Sequence, residues 1–183
     1  MELIQGIRER RSIRKFEDRP VPRELLREVV ETAAYAPSWK NTQTARYLVV
    51  DDKEKIRELA GEACMLGFEK NMESLSKAPA VVVLTGIKGR SGYERDGSFS
   101  TSKGTHWESF DAGIAAQTFC LAAWEKGLGT VIMGLFDEKE IAGRLAIPQE
   151  QQVCAVIAVG YPQSVPEAPR RKSAEELLAF WEA

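Results

Sequence analysis

The 183-residue chain predicts one domain in which strands and helices intermix, in α/β or α+β fashion. Two apolar runs, residues 80–85 (AVVVLT) and 153–159, are continuous and rich in β-branched residues, as strands buried on both faces are. Helical patterns stand before, between and after them. With 44 % apolar and 28 % charged residues, the chain has the composition of a globular protein and length enough for a core without disulfides or metals.

The elements follow in order. Residues 2–9 form a short helix that ends in a basic string. Pro22 opens a better helix, to about residue 36, because Leu25, Leu26, Val29, Val30, Ala33 and Ala34 recur at three-and-four spacing. Pro37 limits it, since a residue before proline avoids the α region. Residues 38–44 are a loop, 47–51 a strand, and 52 to about 74 mostly helical. The segment 86–105 is rich in Gly and Ser, and a connection of that length is a functional lid or a mobile segment. Residues 107–126 make a strong, Ala-rich helix with Gly127 as its cap. A short strand, 130–133, precedes a helix that Asp137 and Glu140 begin as a capping box. The proline-rich stretch 162–169 is an extended arm, and Ser173 with Glu176 caps a C-terminal helix. Sequence pattern alone does not order the sheet.

Several chemistries are excluded. A formal net charge of -2 does not suit a polyelectrolyte binder of nucleic acid or anionic membrane. No apolar run approaches the ~20 residues of a membrane span. The N-terminal residues lack the basic-then-apolar pattern of a secretory signal, so a cytoplasmic protein is expected. Cys64, Cys120 and Cys154 form no CxxC, and His106 is the single histidine, which leaves a structural zinc site or a Ser/His/Asp triad without partners. No phosphate-binding GxxxxGK[ST] occurs. Gly127-Leu128-Gly129 follows a helix and leads into a strand, the reverse of a dinucleotide fingerprint, and is a helix cap and tight turn.

Two segments carry more. Arg8, Arg10, Arg11, Arg14 and Lys15 place five cations in eight positions of an acidic chain. They either serve a helix C-terminus, whose dipole favours cations, or grip a phosphate in forked geometry with Ser12 adding a hydroxyl. Arg170-Arg171-Lys172, just before the capped helix at Ser173, is a second anion-binding candidate. The loop Pro37-Ser38-Trp39-Lys40-Asn41-Thr42-Gln43 is dense in hydrogen-bonding groups, which turn chemistry alone accommodates. Trp39 within it points to a planar partner or an interface.

Arg10-Arg11-Ser12-Ile13-Arg14-Lys15-Phe16, followed by Ala36-Pro37-Ser38-Trp39-Lys40-Asn41-Thr42-Gln43, resembles the two N-terminal signatures of the nitroreductase family of FMN-dependent oxidoreductases. The rest falls in that family's order. Residues 78–83 (APAVVV) resemble its second strand, 111–129 its central helix, and Met133-Gly134-Leu135-Phe136-Asp137 the turn near the flavin ring. Residues 147–162 resemble the last strand and its exit, and Arg170-Arg171-Lys172 the C-terminal phosphate ligands. Where the family often continues Pro-Trp after the loop, this chain has Thr44 and Ala45.

The resemblance implies a mixed, largely antiparallel sheet flanked by helices, in an intertwined homodimer of single-domain chains (1–183). The segment 162–183 would be an arm and helix over the partner. It implies that Arg10, Arg11, Ser12 and Arg14 hold the FMN phosphate and ribityl chain, joined by Arg170 and Arg171. Pro37, Ser38, Trp39 and Asn41 would touch the flavin from the partner subunit, while Met133, Gly134 and Leu135 lie near the ring. The segment 86–105 matches no signature of that family; it forms either the acceptor-side rim, with Tyr93, Phe99 or Trp107 as contacts, or a disordered surface loop. The implied activity is ping-pong electron transfer from NAD(P)H to nitroaromatic, quinone or related acceptors. The alternatives are the dehalogenation or flavin breakdown that some family relatives perform, or a non-enzymatic anion- or nucleic-acid-binding protein that uses the N-terminal arginines. The flavin carries the chemistry, so no side chain is expected as catalytic acid, base or metal ligand.

Overall fold

The structure, a computed structural model, describes residues 2–182; Met1 and Ala183, the ends of the expected 1–183 domain, lie outside the described residues. Its centre is a sheet of β1 (Ala45–Val50), β2 (Ala80–Ile87), β4 (Gln151–Gly160) and β3 (Gly129–Met133), hydrogen-bonded in that spatial order with every adjacent pair antiparallel. Of the two classes open from sequence pattern, it is α+β. The expected mixed character is confined to a parallel bridge between Ser12 and Thr130 on the outer side of β3, where the Ile13 N–H donates to the Thr130 carbonyl at 2.9 Å.

Strand periodicity divides the core in two. Val81 and Val83 of β2, with Val156 and Ala158 of β4, face one layer made by α3 (Lys53–Leu59), α4 (Glu62–Met65), α5 (Glu69–Ser76) and α7 (Glu138–Arg144). Ala80, Val82 and Leu84, with Ala155, Ile157 and Val159, face the other, made by α2 (Arg23–Ala33) and α6 (His106–Glu125). Both faces are covered, which is why these strands are continuously apolar. In β4 the register slips opposite Leu84 and Thr85, and the extra residue is Cys154. This bulge turns Cys154 and Ala155 to the α6 side together, while Val153 and Val156 face the other layer.

Element limits differ from the sequence reading in a few places. α2 ends at Ala33, and residues 34–36 continue only as turns bonded to Val30, Thr32 and Ala33. Residues 52–74 are three short helices, because Leu66 and Gly67 are left-handed at φ 51° and 68° and Gly61 separates α3 from α4. The expected C-terminal helix is a single turn, α8 (Ala174–Leu177), with the full Ser173–Glu176 capping box. Beyond Pro162, which pairs with Phe16, every described residue is exposed, so the arm has no cover in this chain.

Candidate functional site

The N-terminal basic string divides by residue. After α1 (Leu3–Glu9) the chain turns extended at Arg10 and runs beside β3. Arg11 Nη1 donates to the Arg8 and Arg10 carbonyls at 2.6 and 2.9 Å, so Arg11 serves the end of α1, the plainer of its two sequence readings. Yet Arg10 Nε and Arg11 Nε are both buried without a hydrogen-bond partner. An unpaired buried donor of a charged group costs ~1–3 kcal/mol or more, and an incoming anion relieves it. Thr130 Oγ1, in the same corner, makes no full hydrogen bond and lies against the Cys120 thiol. Burial pushes that thiol up, while the Thr130 hydroxyl and the Arg10 guanidinium pull the other way.

Close packing sets the corner. A Cβ on Gly129 would stand 2.5 Å from Ile13 Cγ1, so only glycine lets the Ile13 backbone pass this near the sheet. From there β3 and α6 line a cleft of about 380 Å³, walled by Ser109, Ala112, Gly113 and Ala116 of α6, Ile132 of β3, and the bulge residues Cys154 and Ala155. Small residues on the helix and the paired bulge side chains open the space. Burial raises the Cys154 thiol to about 11, so it is neutral at ordinary pH. Met133 is buried in the layer opposite α6, which leaves only its backbone for the cleft; Gly134 and the exposed Leu135 follow at the strand end.

Loop 37–43 is held at the other end of α6. Lys40, Asn41 and Gln43 have φ of 44°, 54° and 49°, three left-handed non-glycine residues within four positions. Such strain persists only where surroundings over-determine it, and it concentrates at binding sites. Trp39 N–H donates to Asp111 Oδ2 at 2.9 Å, and Gln43 N–H donates to Ser38 Oγ at 2.9 Å. Trp39 Nε1 and Thr42 Oγ1 are buried without partners. Pro37 and Ser38 line a small pocket with Asp111 and Ala115. Thr44 and Ala45, the departure from the resembled pattern, enter β1: the Thr44 carbonyl accepts from Ile87 N–H at 3.1 Å and Ala45 is the first strand residue.

After β2, the segment to residue 105 is a docked hairpin. Tyr93 bridges Phe99 with ring centroids 4.9 Å apart, and Glu94 N–H donates to the Ser98 carbonyl at 2.8 Å. Two buried carboxylates of α6 hold it: Glu108 accepts from Gly89 N–H at 2.6 Å and Asp111 from Ser91 Oγ at 2.7 Å. Trp107 packs against Trp39 with ring centroids 4.5 Å apart and planes tilted by 49°, and Phe99 is exposed at the hairpin surface. Asp111 and Glu108 were not among the sequence candidates. Their signal was available, as two acids at i and i+3 in the first turns of a helix that is mostly apolar.

Arg10, Ser12, Thr130 and the cleft thus lie along one side of β3. Arg14 is exposed and lines a separate cleft with Lys15, Lys70 and Lys77. Arg170 and Arg171 are exposed on the arm, where Arg171 turns back to the Pro169 carbonyl at 3.1 Å, and one-turn α8 offers no helix N-terminus for an anion. Cys120, beside the Arg10 corner, and Asp111, beside Trp39, stand nine residues apart on α6, or roughly 14 Å. Among the described residues no cluster of three or more His, Cys, Asp or Glu side chains suits a metal, and no helix is long and apolar enough to cross a membrane.

The sequence profile of the nitroreductase family matches residues 7–161. An FMN reductase [NAD(P)H] of Bacillus subtilis is 31 % identical over 173 residues, covering 88 % of this chain and 66 % of that protein. An iodotyrosine deiodinase of Nematostella vectensis is 26 % identical over 202 residues, covering 98 % of this chain and 75 % of that protein. The solved structure of an FMN-dependent nitroreductase from Clostridium difficile R20291 superimposes with a TM-score of 0.76 at 29 % identity, covering 97 % of this chain and 98 % of that one. The chain belongs to the nitroreductase family, and it is an oxidoreductase of that family.

Proposed function

We propose that this chain binds FMN with the phosphate at the Arg10–Ser12 corner and the ring toward the cleft between α6 and the β3–β4 end. With it, the enzyme passes electrons from NAD(P)H to nitroaromatic, quinone or related acceptors. The observation that carries this reading is the distribution of unsatisfied buried donors. Of six such atoms among the described residues, Arg10 Nε, Arg11 Nε, Trp39 Nε1 and Thr42 Oγ1 belong to the two segments that resemble flavin-binding signatures, Thr130 Oγ1 lies in the Arg10 corner, and Arg144 Nε lies apart on α7.

FMN, when bound, supplies hydride acceptance from a reduced nicotinamide and its delivery to an acceptor in separate half-reactions. The chain's own groups bind and orient. Arg10 and Arg11 Nε hold a phosphate by charge-assisted hydrogen bonds, and Ser12 adds a hydroxyl. Arg14, Arg170 and Arg171 add charge from exposed positions. The backbone at Met133, Gly134 and Leu135 places dipoles beside the cleft, where negative charge on the ring is stabilised. Ala112, Gly113 and Ile132, which line the cleft, would exclude water from a ring held there.

Pro37, Ser38, Trp39 and Asn41 serve the flavin of a second copy, a reading supported by Trp39's anchor, Asp111, which lines a pocket separate from the cleft. Exposed Leu3, Ile4 and Ile7 on α1, and Leu177, Leu178, Phe180 and Trp181 on the arm, are the apolar surface such a homodimer covers. In this reading the chain is one domain whose segment from 162 onward lies over its partner. Tyr93, Phe99 and Trp107 form the acceptor rim.

The test is direct. Protein purified with FMN should be yellow, retain one flavin per chain, and oxidise NADH or NADPH with a quinone or nitroaromatic. A colourless protein that binds anions only at low salt would overturn the reading. Reductive dehalogenation is a second reading, favoured by the deiodinase likeness. Iodide release from an iodinated phenol at a rate exceeding quinone reduction would select it.

A further inference from the structure

We propose that Asp111 is a positioning residue that couples the β2–α6 hairpin to the loop carrying Trp39. Seating the rim and setting the flavin-side loop are then one event. The consequence for catalysis rests on the flavin reading above; the coupling itself does not.

The geometry converges on one oxygen. Asp111 is 5 % exposed, and its Oδ2 accepts from the Trp39 backbone N–H at 2.9 Å and from the wholly buried Ser91 hydroxyl at 2.7 Å. Both donors are neutral, so these hydrogen bonds are what keep a buried carboxylate satisfied. Losing either leaves the charge half-served and biases the other to shift. Two further links join the same two segments: Lys40 Nζ pairs with Glu94 Oε1 at 2.9 Å, and the Trp39 ring packs at a tilt against Trp107 at the foot of the hairpin.

The two ends of this clasp differ in character. The hairpin root is fixed independently, by Glu108 on Gly89 N–H at 2.6 Å. Removing the Ser91 hydroxyl therefore frees the hairpin body without undocking its root. The loop, in contrast, holds left-handed Lys40, Asn41 and Gln43, which relax toward ordinary conformations once a constraint goes. A change made on the hairpin is thereby felt in the loop.

The test is backbone hydrogen exchange of the flavin-free protein, comparing wild type with Ser91→Ala and Asp111→Asn. Loss of one hydrogen bond to a carboxylate should speed exchange roughly ten- to hundredfold in peptides covering 37–43 as well as in those covering 90–100. Peptides from β2 and β4 should not change. In FMN-loaded enzyme, Ser91→Ala should raise the acceptor KM and the FMN dissociation constant together, with kcat less affected. Exchange that rises only within 90–100, or rises equally in β2 and β4, overturns the coupling. A wild type that takes up no FMN sinks the flavin reading alone, because the exchange comparison does not need it.

Discussion

Arg10 and Arg11 occupy one basic string but do different work, and the difference is one of orientation. Arg11 spends its Nη1 on the carbonyls that end α1 and leaves its buried Nε without a partner, whereas among the described residues no side-chain hydrogen bond ties Arg10, whose buried Nε is also unpartnered, to the end of α1. Arg10→Ala should weaken FMN binding by ~1.5–3 kcal/mol, about ten- to hundredfold in a fluorescence titration, with the fold retained. Arg14→Ala should act in the same direction by less, because exposed charge contacts contribute only ~0.2–1 kcal/mol. Gly129→Ala should destabilise by ~1–3 kcal/mol in urea unfolding, since its methyl would enter the space held by Ile13. Because Ile13 lies in the same extended segment, that variant should also lose flavin affinity. The cations and the loop were legible as types and spacings. Which guanidinium lacks a partner was not, because that depends on where β3 and α6 pass.

At the level of elements, the β4 bulge shapes the cleft. One extra residue sends Cys154 and Ala155 to the same side, and an unbroken strand would put Cys154 among the α7 layer. Burial raises the Cys154 thiol from its ordinary 9.0 to about 11. With rising pH the unfolded chain loses this proton first, so its contribution to stability is intact below about 9 and is lost as pH climbs toward about 11. Cys154→Ala should flatten that alkaline limb in denaturation midpoints taken at successive pH values. Tyr47, raised by burial to about 12, adds a similar loss above its ordinary 10.0 and keeps part of the limb in place. Strand existence was readable from β-branched runs, and α6 from its length and alanines. The bulge left no trace in periodicity, because β4 is apolar on both faces and a one-residue slip changes no pattern.

For the molecule as a whole, the unpartnered surfaces set the expectation. α1 exposes Leu3, Ile4 and Ile7, and the arm exposes Leu177, Leu178, Phe180 and Trp181, more apolar surface than a lone small domain keeps without purpose. Sedimentation should give a particle of twice the 20.4 kDa chain. Ile4→Lys with Ile7→Lys should shift it toward one copy and release flavin at the same time, if loop 37–43 serves a neighbour's ring. Added FMN should raise the melting temperature of the wild type, because a ligand of the native state stabilises it by mass action. The double variant should show a smaller rise.

Local chemistry was enough to determine that strands and helices intermix, the order of most elements, the capping of α7 and α8, and the two segments whose residue types suit a phosphate and a planar ring. Those features depend on neighbours within a few positions, where propensity and capping act. Long-range packing decided the rest. It made the sheet antiparallel in the order β1-β2-β4-β3, extended β2 to Ile87 and turned residues 88–105 into a hairpin docked on Glu108 and Asp111, and placed loop 37–43 at the far end of α6 from Arg10. Each of these joins residues distant in the chain, through hydrogen bonds and close contacts that no window of sequence contains.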